Sequence, residues 1–516
     1  MQKEITISVS PKAATEEDSI KHSAARYLNI STKEISEIVI QKRSIDARSR
    51  KINVHLKITV FTAGEKNAPT NYNRAYKNIA SATPIIIVGS GPAGLFAALR
   101  LIELGLKPVI IERGKDVIQR RKDLAKIHNH EVNPDSNYCY GEGGAGTYSD
   151  GKLYTRSKKR GSVQRILEIL VAHGAVEDIM IDTHPHIGTN KLPKIIAKIR
   201  ENILSAGGEL HFNCRVEDLI LKGNKIEGVV DQNGAKILGH SVILATGHSA
   251  RDIYYLLNKH KIILEAKSFA LGVRVEHPQP IIDAEQYRCE VRSRYLPAAS
   301  YKLVQQVNGK GVFSFCMCPG GQIVPSATAP GEVVVNGMSA STRSSRYANS
   351  GIVVSIEPQD LKAYAKYGEL AGLVFQQEME KMAWVAGGKS QASPAQRMVD
   401  FTNNKLSTHL NECSYIPGIN SAPLHELLPP VIGDRLKIGF KAFGRKMKGY
   451  YTNQANILGV ESRTSSPLRI PRNDESLNHP QVLNLYPCGE GAGYAGGIVS
   501  AAIDGERCAE AIKNTF

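Results

Sequence analysis

The chain has 516 residues, of which 42% are hydrophobic and 22% charged, with eight cysteines and a formal net charge of +16 at neutral pH. Those proportions exclude a disordered chain, a collagen-like fibre and a small disulfide scaffold, and the length suggests roughly three domains. The positive excess admits a nucleic acid, an acidic protein, an anionic membrane surface or a phosphorylated cofactor as partner, and chooses none of them.

The opening stretch has neither an apolar run nor a small-residue cleavage site. No signal peptide is expected, and a cytoplasmic protein with reduced thiols is the default. Residues 1–62 are expected to form a small α+β module. Alternation predicts strands over 4–9, 35–42 and 51–61, and helical spacing predicts a helix over 16–27 with Thr15 as its N-cap. Residues 63–83 have little periodicity and read as a linker. At Pro84 the character changes. Residues 85–88 are a short all-apolar run, as in a strand buried on both faces of a parallel sheet. A helix is predicted over 92–104, with Pro92 in its first turn and Gly105 as its stop, and a second buried strand over 108–112. This apolar stretch is interrupted by Gly89, Ser90, Gly91, Pro92 and Gly94, so it cannot supply the ~20 apolar residues of a membrane span. Residues 84–264 and 481–516 are expected to be two parts of one α/β, Rossmann-like fold. Residues 265–480, lacking a clean α/β alternation, read as an inserted, mixed and mainly antiparallel β domain that covers the substrate.

Gly89, Gly91 and Gly94 form G-x-G-x-x-G between a strand and a helix. The first glycine permits the tight turn, the second lets the backbone approach a pyrophosphate, and the third lets the helix pack on the strand. The helix start, with Pro92 and Ala93, offers unpaired N–H groups and a positive dipole end. Glu112 follows Gly94 by 18 residues, at the end of the second strand, where a carboxylate can bind ribose hydroxyls. Arg113 and Val216 complete the contacts expected on this side of the nucleotide.

Two later stretches resemble FAD enzymes of the two-dinucleotide-binding, glutathione-reductase-like superfamily. One is an apolar strand ending in Ala245-Thr246-Gly247. The other, residues 485–505, is a strand, a glycine-rich turn and a helix. The resemblance implies that the Ala-Thr-Gly strand packs beside the nucleotide and that Gly489-Glu490 contacts the ribityl–pyrophosphate part. It also implies that the helix starting near Gly497 and Ile498 points at the flavin ring. Glu490 departs from the usual aspartate by one methylene. No separate NAD(P) domain is read, so a tightly held FAD is favoured, and NAD(P)H stays open as a transient electron donor.

Further stretches narrow the resemblance: Tyr140 to Leu153, Pro185 to Gly188, Ala245 to Asp252, Phe315 to Gly321, Asn336 to Ser339, Ala348 to Gly351 and Glu461 to Pro467. Together they are similar to the family described as uncharacterised bacterial FAD-dependent dehydrogenases, over essentially the whole chain. The resemblance implies FAD and redox chemistry, and no particular substrate.

Within these stretches, Gly143, Gly144 and Gly146, followed by Thr147, suit close backbone approach to the flavin or pyrophosphate, against a plain surface loop. Cys316 and Cys318 form a C-x-C on a predicted strand, where both side chains share a face. They could exchange electrons with the flavin, or simply pack. Arg463 and Ser465 lie in a polar stretch that could face the flavin or an anionic substrate, or be a polar turn. His248 and Arg251 could reach the cofactor region, with structural roles equally open. His184 and His186 read as local structure, and no metal site is nominated. Basic clusters over 152–165 and 435–448 read as solvated faces, or as steering surfaces for a phosphorylated substrate, NAD(P)H or RNA. The leading expectation is an FAD-dependent dehydrogenase acting on a small, possibly anionic molecule. The alternative is an FAD-containing nucleic-acid-associated protein using its N-terminal module and basic clusters, though an aromatic content of 6% leaves few base-stacking platforms.

Overall fold

The computed structural model describes residues 2–155 and 159–516. At its centre is a parallel sheet with strand order Leu485–Pro487, Ser241–Leu244, Pro84–Val88, Lys107–Ile111, Glu209–His211. The apolar run of the third strand is used on both sides, as parallel sheets require. Ile85 and Ile87 pack under the helices Pro92–Glu103 and Ile498–Lys513. Ile86 and Val88 face the opposite way, against the antiparallel strands Val216–Lys222 and Lys225–Asp231.

The chain leaves this sheet after Leu244 and returns at Leu485, on the adjacent strand. Between these points it builds a seven-stranded sheet in the order Val304–Val307, Lys310–Cys318, Tyr347–Ile356, Phe269–Pro278, Asn456–Glu461, Ser393–Arg397, Ile419–Ser421. Every neighbouring pair is antiparallel except the last. Leu271, Val273 and Val275 alternate into a core with Ile352, Val354 and Ile356, closed by Ile432, Leu436, Phe440 and Phe443 of the helix Pro430–Lys446. The architecture is the mixed α/β one expected, with an antiparallel sheet laid beside a parallel one.

The first residues form a separate three-stranded antiparallel sheet in which Asn53–Thr62 lies between Gln2–Val9 and Ile35–Asp46. The helix Glu17–Leu28 buries Ile20, Ala24 and Ala25 on it. Thr15 is not the N-cap. Its hydroxyl donates back to the carbonyl of Lys12 in a 3₁₀ turn, and the helix begins two residues later with no side-chain cap. Arg43 ties this module to the rest of the chain through Asp178 and Asp182, at 2.8 and 2.7 Å. Among the described residues no helix is long and apolar enough to cross a membrane.

Candidate functional site

The C-terminal ends of Pro84–Val88, Lys107–Ile111 and Ser241–Leu244 open onto a cavity of about 350 Å³ whose far wall comes from the seven-stranded sheet. Crevices at this end of an open α/β sheet are where such folds take ligands. Gly89 has φ +105°, and a Cβ there would lie 2.5 Å from the carbonyl oxygen of Ala245, so only glycine lets the two strand ends meet. Gly91 differs. Its φ of −72° suits any residue, and a Cβ would meet nothing closer than Gly144 Cα at 3.9 Å. The space in front of Gly91 is therefore open. Pro92, Ala93, Ala245, Thr246 and Gly247 line the same space, whereas Gly94 sits behind it, its backbone against the Gly89 carbonyl. The helices Pro92–Glu103 and Ile498–Lys513 both start at this cavity, at Gly91 and Gly497, and neither has a side-chain cap. Two sets of unpaired N–H groups thus face one cleft, which suits a ligand bearing negative charge at two places.

Glu112 is buried at the cavity wall. Its Oε2 accepts from the N–H and hydroxyl of Ser90, at 3.0 and 2.8 Å, and its Oε1 from the N–H groups of Gly114 and Gly141, at 2.9 and 3.0 Å. The carboxylate therefore clamps the first glycine turn to the second glycine loop. Beside it Arg113 stacks on the Tyr140 ring at 4.2 Å and pairs with Asp135 and Asp252, and Val216 closes this end. In the second loop Gly144 and Gly146 line the cavity, but Gly143 and Thr147 do not. The Thr147 hydroxyl turns inward and donates to the Glu142 carbonyl at 2.9 Å. The cause is Arg120, a residue that sequence reasoning missed. Its buried guanidinium donates to the carbonyls of Asn137, Tyr138, Glu142 and Gly144 at 2.8–2.9 Å and shapes the loop around itself. A signal existed: Arg120 falls on the buried stripe of its helix with Val117, Leu124 and Ile127.

Gly489 also lies outside the cavity. Its N–H donates to Asp504 at 2.8 Å, and Asp504 is held by two bonds from Arg472 at 2.6 and 3.0 Å. This knot fixes the turn that delivers Glu490 to the cavity, where its carboxylate sits 3.4 Å from His248 Nδ1. It also gathers Cys488, Cys508 and Asp504, a group of potential metal ligands. The Arg472 guanidinium, 3.7 Å from Cys508 Sγ, already supplies positive charge there.

At the far wall the strand Lys310–Cys318 slips register against Tyr347–Ile356 between Phe315 and Cys318, and Cys316 takes a φ of +43°. The slip breaks the regular alternation of the strand at this point. Cys316 stands exposed in the cavity wall, and Cys318, more deeply buried, lines the same cavity. Removal from bulk water pushes the Cys316 thiol up to about 11, against the pull of the Lys152 ammonium. Lys152 lines the cavity, with Asp150 at 3.1 Å and Cys318 Sγ at 3.9 Å. Burial lowers its pKa, but Cys318 and Asp150 outweigh that and keep it raised. Asp150 is in turn held by Arg343 at 3.0 and 2.6 Å.

Arg463 reaches the wall, but its donors are engaged. It makes two bonds to Glu380, at 2.9 and 2.7 Å, and one to the Thr328 hydroxyl at 2.9 Å. Arg251 joins the same network through Glu380 and Glu332, at 3.0 and 2.6 Å. Burial alone would raise Glu380, yet the two guanidiniums hold it down to about 2. The rest of this polar stretch is bracing too: Glu461 pairs with Arg274 at 2.7 Å and Ser462 with Glu380 at 2.6 Å. Ser465 is half-buried and does not line the cavity. His184 stacks on Tyr154, and His186 Nε2 lies 3.2 Å from the Ser341 carbonyl. Of the basic cluster over 152–165, Arg156 and Lys158 lie outside the described residues.

A glycine turn between parallel strand and helix, an acid on the next strand and a second helix start aimed at the same open space define a dinucleotide-binding flavoprotein. Residues 268–464 match a family model described as FAD-dependent protein, C-terminal domain-like; residues 83–252 match pyridine nucleotide-disulphide oxidoreductase; and residues 1–61 match a domain of unknown function. An uncharacterized protein of Clostridium beijerinckii is 40% identical over 517 residues, covering 96% of each chain. A thiamine thiazole synthase of Methanococcus maripaludis is 27% identical over 188 residues, 34% of this chain and 60% of that one. Among solved structures, CtdE in complex with FAD covers 84% of each chain at 12% identity, with a TM-score of 0.34. The chain belongs to the family of the Clostridium protein, a family of FAD-dependent proteins with an oxidoreductase domain.

Proposed function

We propose that this FAD-dependent oxidoreductase exchanges a hydride with a small anionic molecule held against the far wall of the cavity. The observation that carries the reading is the convergence of Gly91, the two uncapped helix starts, Lys152 and Cys316 on one space. Bound FAD supplies the two-electron chemistry. Gly91, Pro92 and Ala93 leave room for the pyrophosphate, and the helix start behind them presents its N–H groups, Pro92 excepted, to it. Glu112 orders the glycine turn and, with Arg113 and Val216, borders the ribose end. The helix start at Gly497 and Ile498 favours negative charge beside it, and Glu490 and His248 fix the adjoining turn. Lys152, kept cationic by Asp150, binds the substrate's carboxylate or phosphate. The Cys316 thiol stays protonated at neutral pH and can donate a hydrogen bond from Sγ. Arg463 acts here as a positioning residue, bracing the wall through Glu380.

The test is anaerobic titration of the FAD-loaded protein with NADH, NADPH and a panel of carboxylates and phosphorylated metabolites, followed by flavin absorbance. At least one should bleach the oxidised band. Failure of every donor to bleach the bound flavin would overturn the reading. For the productive substrate, Lys152→Gln is expected to raise KM about tenfold or more, since a hydrogen bond to a charged group contributes about 1.5–3 kcal/mol.

A further inference from the structure

A second cavity, of about 1000 Å³, lies between the N-terminal module and the seven-stranded sheet and shares no lining residue with the flavin cavity. Three pieces of chain far apart in sequence bring their cations to it. Arg48 comes from the turn after Ile35–Asp46, Arg288 from the end of the helix Gln279–Tyr287, and Arg445, Lys446 and Lys448 from the end of Pro430–Lys446. Among the described residues two acids line it, Asp46 and Glu285, and Asp46 is taken by Arg48 at 2.6 Å. Among the described residues no carboxylate pairs with Arg288, Arg445 or Lys448. The two helix ends contribute about half a negative charge each, which five cations against two acids still outweigh. Arg288 also occupies the left-handed position that closes its helix, φ +52°, where glycine is the usual choice. Arg288 is exposed and, among the described residues, has no carboxylate partner, so its guanidinium is open to a ligand from outside.

We propose that this groove is an anion site for a compact, multiply phosphorylated small molecule, bound between the N-terminal module and the body of the protein. Concavity and the clustering of cations from three elements match several phosphates close together, not one carboxylate. A single-stranded nucleic acid is disfavoured because, among the described residues, no Phe, Tyr or Trp lines the groove to stack a base. The site stands independently of the redox reading, since it involves none of the flavin-cavity residues.

The test is calorimetric titration of the FAD-loaded, full-length protein with inorganic tripolyphosphate, at low salt and again at higher salt. Bound FAD keeps the probe from the pyrophosphate site. Saturable binding near one per chain is expected, weakening as salt rises. The triple substitution Arg288→Ala, Arg445→Ala, Lys448→Ala should weaken it at least tenfold while flavin content and thermal midpoint stay unchanged. Absence of saturable binding at low salt, or an affinity in the triple variant within twofold of the parent, would overturn the proposal. So would displacement of tripolyphosphate by a short RNA duplex at lower concentration than by a nucleoside triphosphate, because that ranking belongs to an extended nucleic-acid surface.

Discussion

Cys316 shows how much a single side chain depends on its wall. A thiol on a regular strand would alternate with its neighbours, but the strand slips register beside Phe315, and Cys316 stands exposed in the cavity wall with Cys318 buried beside it. Pushed up to about 11 there, it is almost wholly protonated near neutrality. Alkylation by iodoacetamide at about pH 8 should therefore run roughly two orders of magnitude slower than for an ordinary cysteine, read by mass spectrometry of its peptide. Labelling at the ordinary rate would mean that the thiolate forms readily and could act as a nucleophile. Legibility at this scale was uneven. Gly89, Gly91 and Glu112 reach the cavity where their spacing put them, whereas Gly143 and Gly489 lie outside it. Arg463 was expected to face the flavin or an anionic substrate, or to lie in a polar turn; it reaches the cavity wall with Glu380, remote in sequence, bound to it. Thr147 was read as a cofactor contact, whereas Arg120 draws its loop inward. Which partner a long polar side chain finds is decided by packing between distant elements, and spacing does not carry it.

Elements, by contrast, were set by local pattern, and their joints can be tested. The helices Pro92–Glu103 and Ile498–Lys513 approach so closely that a Cβ on Gly505 would lie 2.0 Å from the Ala93 carbonyl. Gly505→Ala should force them apart and move both helix starts. Thermal midpoint and flavin content are expected to fall together, and a variant that keeps both would show that the joint is slack. A second joint is the ion network that links the helix Ala371–Ala386, through Glu380, to Arg463 beyond Asn456–Glu461 and to Arg251 at the start of Arg251–Lys259. Glu380→Gln leaves two buried guanidiniums short of a charge and should cost about 3–5 kcal/mol near neutral pH. Because the folded carboxyl is depressed to about 2, its contribution is complete above the unfolded value of about 4.3 and is lost as pH falls through about 2. The gap between parent and variant in denaturant titrations should therefore close over that acidic window. A gap that is constant with pH would contradict the ionic account. The strands and helices were legible here because the apolar run at 85–88 and the proline and glycine punctuation each specify one local geometry. The Thr15 cap was not, since a 3₁₀ turn competed for the same hydroxyl.

For the whole molecule, the claim is that two sheets meet around one cofactor, with the chain crossing between adjacent parallel strands to build the second wall. The parallel sheet follows from its sequence pattern. Order within the seven-stranded sheet does not, because antiparallel pairing between strands as distant as Phe269–Pro278 and Asn456–Glu461 is fixed by a shared core and not by neighbouring residues. Gly91 gives the most direct test, because nothing in the protein itself demands glycine there. Its φ is ordinary and a Cβ has room, so Gly91→Val should cost at most about 1 kcal/mol as a poorer N-cap. FAD titration of the apo-protein, parent beside Gly91→Val, should then show one FAD per chain for the parent and at least tenfold weaker binding for a variant whose apo-form remains folded. Equal affinity in the two proteins would contradict the placement of the cofactor against this turn, and with it the account of the site.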